Sequence, residues 1–318
     1  MHAAAINLRG GVSPRNTRLR GQSIIEYVLI IAVIGLVVVF AGPGVAGAIR
    51  NQFSQVTNTV DSGTGGDNFI SAEEKAYREA MKTVAGKEAK DWTLDEQKAA
   101  ATDIAKNGTS SVVYAKAKAA MDAGTTWSVK LTNGKTMTYR IIGINHDDLA
   151  DGSGKAGLTF WVDSFSCSGI RFLNNYTNKG GWEKSNIRQE LLSGEVWNAL
   201  PNDFQLKIAS VTKKSLDSGS QGNSSCVDTP DKLFLASVSE LFGGDSTEGS
   251  QYERFALIGL TMNSQLGKSD YRITYTRSVK ANTRDEVWVL RGDAEPRYSA
   301  VASQTLHSFE CIRFAFCF

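Results

Sequence analysis

One carboxylate, Glu26, stands near the start of an otherwise uncharged apolar run that ends near Ile49. An ionisable group at such a place costs roughly 2.5–3.5 kcal/mol on insertion scales, so it is there to meet a partner. Four more carboxylates, Asp147, Asp148, Asp151 and Asp163, cluster with Gly152 and Gly154 in a loop-like stretch. Hard cations take several oxygen ligands at defined spacing, and no EF-hand spacing is present, so solvated loop carboxylates are expected and no metal site. The four cysteines, Cys167, Cys226, Cys311 and Cys317, form no Cys-x-x-Cys, and the distal histidines are His146 and His307. Zinc-ligand spacing is therefore absent, and one or two disulfides are the expected use, with three connectivities open. Catalysis would need a nucleophile beside an activating base. Cys311 and Cys317 lie among Phe residues near the end of the chain, so neither an enzyme nor a cofactor is expected. Trp161, Trp182, Trp197 and Trp288 are of a type that lines sugar clefts, but each buries 150–250 Å² in a folded domain, and a core role is expected.

The elements that position these groups begin with Met1 to Gly21, which carries Arg9, Arg15, Arg18 and Arg20 and no acid. By the positive-inside rule this end stays cytoplasmic and the chain beyond the helix is extracytoplasmic, where disulfides are permitted. The 23 residues from Tyr27 to Ile49 are uncharged and reach roughly 34 Å as a helix, enough for a hydrocarbon core of about 30 Å. Pro43 removes a backbone hydrogen bond, and a kink or melted turn is expected there. The words Arg20-Gly21-Gln22-Ser23-Ile24-Ile25-Glu26-Tyr27 resemble the processing site of type IV-like prepilins, most closely the Flp pilins of tight-adherence (Tad) pili. The resemblance implies cleavage between Gly21 and Gln22 by a prepilin peptidase, with the helix retained. Glu26 and Tyr27 then form the family's Glu-Tyr pair, and Glu26 can meet the new α-ammonium of Gln22 on a neighbouring subunit. In the low-dielectric core of a filament a broken pair would be expensive, which supplies both register and attraction. Flp pilins are very short, whereas this chain has 318 residues, so a minor or tip subunit is expected.

The chain has 35 basic and 33 acidic residues. Loss of the four leader arginines leaves 31 against 33, with charges scattered and no basic patch for nucleic acid. Residues 50–70 read as a linker through Ser62-Gly63-Thr64-Gly65-Gly66-Asp67. Residues 71–126 read as an Ala- and Lys-rich helical stalk, with helices over Ser71 to Ala85, Thr93 to Asn107 and Ser111 to Ala123. From Trp127 the pattern turns to strands, with Asn133-Gly134 as a hairpin turn. The stretch Trp182 to Leu200 is helical by its spacing of Ile187, Leu191, Val196 and Leu200. Strands are expected at Leu158 to Val162, Leu233 to Ala236, Tyr271 to Thr276, Val287 to Arg291 and Ile312 to Phe316, giving an α+β domain over 127–318.

Within it, Gly181-Trp182-Glu183-Lys184-Ser185-Asn186-Ile187-Arg188, Asp231 to Ser237, Trp288-Val289-Leu290-Arg291 and Ile312 to Cys317 resemble the blocks of the uncharacterised DUF6273 family. Those blocks are similar to C-type-lectin-like folds of the formylglycine-generating type. Arg291-Gly292-Asp293 spells a tripeptide that some integrins bind, but it falls in a block where Arg291 is expected to serve the fold. The sequons at Asn107, Asn175 and Asn223 are read as coincidental. The expectation is a pilin-like surface protein, held in the cytoplasmic membrane and then built into a Tad or type IV-like pilus. Its partners would be the prepilin peptidase, other pilin subunits, the assembly machinery and a host or surface glycan or protein. A membrane-tethered binding protein outside any filament, and a secretion-system pseudopilin, are the alternatives.

Overall fold

The computed structural model describes residues 72–173, 177–218, 225–244, 246–260, 273–291, 299–305 and 309–318. Gly21, Gln22, Glu26 and Tyr27, with the expected leader, membrane helix and linker, lie outside the described residues. No helix among the described residues is long and apolar enough to cross a membrane.

Among the described residues three helices come first: α1 (Ala72–Gly86), α2 (Leu94–Asn107) and α3 (Tyr114–Ala123). Two of them have a local cause. Thr93 caps α2 in a reciprocal box with Glu96, which satisfies two orphan amides at once. Gly124 ends α3 in the left-handed conformation that favours glycine. The hairpin β1 (Thr126–Lys130) and β2 (Thr136–Ile144) follows. Gly134 takes φ 83° at its turn, and the Asn133 side chain accepts from the Lys135 amide.

Next come β3 (Leu158–Ile170), α4 (Asn186–Ser193), α5 (Glu195–Ala199), α6 (Asn202–Gln205), β4 (Val211–Leu216), β5 (Cys226–Asp231) and β6 (Leu233–Phe234). The chain then runs through α7 (Val238–Phe242), α8 (Glu253–Leu257), β7 (Ile273–Val279), β8 (Glu286–Arg291), β9 (Ser299–Thr305) and β10 (Phe309–Cys317). The single helix expected over Trp182 to Leu200 is two. Ser185 caps α4, and Gly194 takes an extended conformation that separates it from α5, while the Glu190 carboxylate caps the Glu195 amide at 2.7 Å. Ile187, Leu191, Val196 and Leu200 are nonetheless all buried.

The main sheet has the order β1-β2-β3-β10-β6 and its pairs are antiparallel. The last strand is thus laid between β3 and β6, so the chain closes its own sheet. Smaller sheets pair β4 with β5 and β7 with β8 and β9. Tyr139, Phe160, Phe204 and Phe316 meet edge-on or stacked with ring centroids 5.1–5.6 Å apart, the separations that aromatic pairs prefer.

The helices expected as a stalk pack into this same core. Ala100, Ala101, Ile104, Ala117 and Met121 are buried with the sheet residues. The Trp127 indole donates to Ala89 O at 3.1 Å, and Tyr139 donates to Gln97 at 3.1 Å. All the described residues fall in one compact unit. The small side chains that made this layer look thin are what let it approach the sheet.

Candidate functional site

Five charged side chains from five separate segments converge under the β4–β7 edge of the fold. Asp147 comes from the turn after β2, Lys213 from β4, Glu240 from α7, Glu248 from the turn after α7 and Arg277 from β7, and all are buried. A buried charge is tolerable only when paired and hydrogen-bonded; Asp147, Lys213, Glu240 and Arg277 are ion-paired, whereas the Glu248 carboxyl is held by hydrogen bonds alone. Lys213 Nζ lies 2.6 Å from Asp147 Oδ1 and 2.5 Å from Glu240 Oε1. It also sits 4.4 Å from the centre of the Phe234 ring. Arg277 grips Glu240 with both arms of its fork. Tyr252 reaches both Asp147 oxygens at 3.1 Å, and Thr159 donates to Asp147 Oδ2 at 2.6 Å. Glu248 accepts from the Leu216 amide at 3.0 Å and from the Ser278 hydroxyl.

The α7 segment is placed by its own sequence. Ser237 and Glu240 form a capping box, so the carboxylate that caps the helix also faces Arg277. On β4 the buried positions are Val211, Lys213 and Ser215, a mostly polar inner face that the network requires.

Burial works against every charge here, and the partners overcome it at Asp147, Glu240, Lys213 and Arg277 but not at Glu248. At Asp147 the Lys213 ammonium and His146 outweigh it and hold the carboxyl well below the usual carboxylate range. Burial also opposes the charge at Glu240, where Arg277 and Lys213 overcome it and lower the carboxyl. At Glu248 burial wins and raises the carboxyl. Burial pushes the Cys317 thiol and the Tyr252 phenol up, both helped by Asp147. Lys213 is held charged by Asp147 and Glu240 against its burial. The thiol and phenol are thus kept protonated and the ammonium charged, the opposite of what nucleophiles and bases need.

The depressed carboxylates of Asp147 and Glu240 contribute stability that is full above their unfolded values near pH 4 and is lost as pH falls toward the folded ones. Glu248, being raised, works the other way: its contribution is present at low pH and fades as pH rises through its folded value. Two depressed groups against one raised group predict a net loss of stability on acidification. Urea midpoints should fall below about pH 4, and Asp147→Asn should flatten that slope. A slope unchanged in Asp147→Asn would count against Asp147 as a source.

Two clefts open onto this cluster and share Glu248. One, of about 260 Å³, is lined by His146, Asp148, Lys155, Lys213, Lys214 and Glu248. The other, of about 290 Å³, is lined by Leu216, Val238, Ser239, Glu248, Ser278 and Trp288. His146 lies over Tyr252 with ring centres 4.2 Å apart and has Glu253 Oε1 3.4 Å from its Nδ1.

The sequence-predicted residues fare unevenly. The four aspartates do not converge. Asp147 joins the buried network, Asp148 pairs with Lys155 at 2.9 Å, Asp151 caps Ser153, and Asp163 pairs with Arg140. Among the described residues no group of three or more His, Cys, Asp or Glu could hold a metal ion. Cys226 and Cys317 are free thiols, the first exposed and the second buried. The expected disulfides therefore do not include them, because Cys317 is enclosed beside Asp147 at 3.5 Å and Cys226 faces solvent at the start of β5. Cys167 is buried on β3, and Cys311 lies on β10 opposite Ser166. Trp161 and Trp182 are core residues, whereas Trp288 reaches the second cleft. Of the tripeptide, Gly292 and Asp293 lie outside the described residues.

The block residues Trp182, Arg188 and Asp231 meet each other. The indole of Trp182 and Nε of Arg188 bind the two oxygens of Asp231 at 2.8 and 2.7 Å, tying α4 to the end of β5. Lys213, Glu240, Glu248, Tyr252 and Arg277 carried no expectation. The Ser237-x-x-Glu240 spacing of the capping box was the one legible sign of where Glu240 sits.

Residues 162–318 match the family model described as Domain of unknown function (DUF6273). The match begins inside β3, later than the Trp127 boundary of the resemblance, so Asp147 and Thr159 precede it while their partners Lys213, Tyr252 and Cys317 lie within it. No curated protein and no solved structure matches the chain. The C-terminal part of the chain, from within β3 through β10, is thus similar to the DUF6273 domain family.

Proposed function

We propose that the chain is a pilin-like surface protein, a minor or tip subunit of a Tad or type IV-like pilus that displays its α+β unit outside the cell. The observation that carries this reading is the spacing Gly21-Gln22 to Glu26-Tyr27 directly before an uncharged apolar run. A prepilin peptidase would cut after Gly21 and leave Gln22 with an α-ammonium for the Glu26 of a neighbour. The chain would sit in the cytoplasmic membrane before assembly with other pilin subunits and the assembly machinery. The displayed unit is read as C-type-lectin-like, closed by its last strand, and as a binding module.

Mass spectrometry of sheared pili should find a mature N-terminus at Gln22, and an uncleaved Met1 would overturn the proposal. Glu26→Ala should leave the processed chain in the membrane and abolish its recovery with the sheared filaments. Surface display unaffected by Glu26→Ala would instead favour a permanent membrane tether.

A further inference from the structure

The two clefts beside the charge cluster differ in chemistry. The His146 cleft holds Lys155, Lys213 and Lys214 among its walls. Among the described residues that line the Trp288 cleft there is neither lysine nor arginine, and Glu248 is the one carboxyl. The described lining thus offers an anion no cationic side chain. An apolar wall of Leu216, Val238 and Val279 faces hydroxyl and carboxyl groups of Ser239, Ser278 and Glu248. Trp288 alternates along β8 with Val287 and Val289, which are fully buried, so its half-buried indole is turned to the opposite face. At about 290 Å³ the cleft lies at the low end of ligand sites, roughly 300–1,000 Å³, which is room for one ring and not for an extended chain.

We infer that the Trp288 cleft is a binding site for a neutral pyranose ring, with the indole of Trp288 as platform and Ser239, Ser278 and Glu248 as its polar edge. A pyranose presents polarised C–H bonds on one face and hydroxyls around its rim. The face suits the negative quadrupole of an indole, and the rim suits a few convergent hydroxyl and carboxyl groups on an otherwise apolar wall. The two Glu248 oxygens are held by the Leu216 amide and the Ser278 hydroxyl, which accepts in turn from the Val238 amide, so the polar edge is fixed before a ligand arrives and offers its remaining lone pairs, which lowers the entropy lost on binding. The inference deepens the display reading and rests on it for the ligand's place outside the cell.

The test is saturation-transfer NMR on the full chain in a detergent without a sugar headgroup, with the methyl glycosides of glucose, galactose and mannose as probes. At least one should receive saturation with a dissociation constant on the order of 1 mM. Trp288→Ala should weaken it by about tenfold or more, and Trp288→Phe, which keeps a ring face, by only a few-fold. Ala281→Arg, at an exposed turn position on the cleft wall, should block the cleft without touching the core. No saturation of any of the three probes would overturn the inference, as would binding that survives both Trp288→Ala and Ala281→Arg. An uncleaved Met1 with pyranose binding intact would sink the pilin reading alone, and a Gln22 terminus without pyranose binding would sink this one alone.

Discussion

Arg277→Ala is expected to lower the unfolding free energy by about 3–5 kcal/mol, the range for breaking a buried pair by removing one partner. Arg277 is fully buried. It donates to Lys214 O at 3.0 Å and Leu235 O at 2.9 Å, to both Glu240 oxygens, and to Glu248 O. Its removal leaves Glu240 with Lys213 as its remaining cation and takes a donor from three backbone carbonyls, of which Glu248 O keeps the Ser237 hydroxyl. An acceptor left buried without a donor, such as Leu235 O, adds a desolvation penalty of about 1–3 kcal/mol, although the surrounding segments will relax to recover part of it. Against a total stability of about 5–15 kcal/mol, the variant should unfold at a much lower urea concentration, read by tryptophan fluorescence of the purified chain. Arg277→Lys should recover little, because one ammonium cannot serve a forked site with acceptors on several segments. The exposed pair Lys118–Asp122 is the control: Lys118→Ala should change stability by less than about 1 kcal/mol. A comparably small change for Arg277→Ala would show that the network does not hold the sheets together.

Much of the framework is legible in the residues. Thr93 with Glu96, Asn133-Gly134 and Gly124 are local devices whose geometry depends on a few neighbours, and the structure forms a cap, a turn and a helix end there. The network is illegible for the opposite reason. Val211-Thr-Lys-Lys-Ser-Leu216 reads as a solvated stretch because lysine is almost never buried unless paired, and its partners are contributed by Asp147 and Glu240, 66 and 27 residues away. Cys226 to Asp231 contains Pro230 and two aspartates, poor strand formers. It pairs along its whole length with β4 all the same, because Asp231 is held by Trp182 and Arg188. Trp182, Arg188 and Asp231 were all visible as family words, yet that they meet could be found only in three dimensions. Patterns with period 2 or 3.6 report which face is apolar, and they are silent where the inner face is charged.

The helical layer offers the sharpest remaining test, through Gly157→Ala, expected to cost about 3 kcal/mol, the upper end for overpacking a core. A Cβ at Gly157 would stand 1.8 Å from Ala101 O and 2.6 Å from Ala101 C. Both belong to the backbone of α2, so no rotamer change can make room and the whole helix must move. It is not free to do so. Asn145 donates to Ile104 O at 3.1 Å, Gln97 is bound by Tyr139 of β2, and Asp103 accepts from Tyr77, Asn107 and Ser111. The backbone at Gly157 does not lie in the left-handed region, so the loss would come from steric conflict and not from a forbidden φ. Hydrogen exchange should then show the amides of α2 and β3 losing protection together. Protection lost in β3 alone would mean that α1–α3 form a separately stable stalk after all. Gly86→Ala, where a Cβ meets nothing within 4 Å, should be neutral or stabilise by about 0.4–1 kcal/mol through the unfolded chain. The contrast between a glycine pressed against the α2 backbone and one at the open end of α1 isolates the helix–sheet contact as the cause.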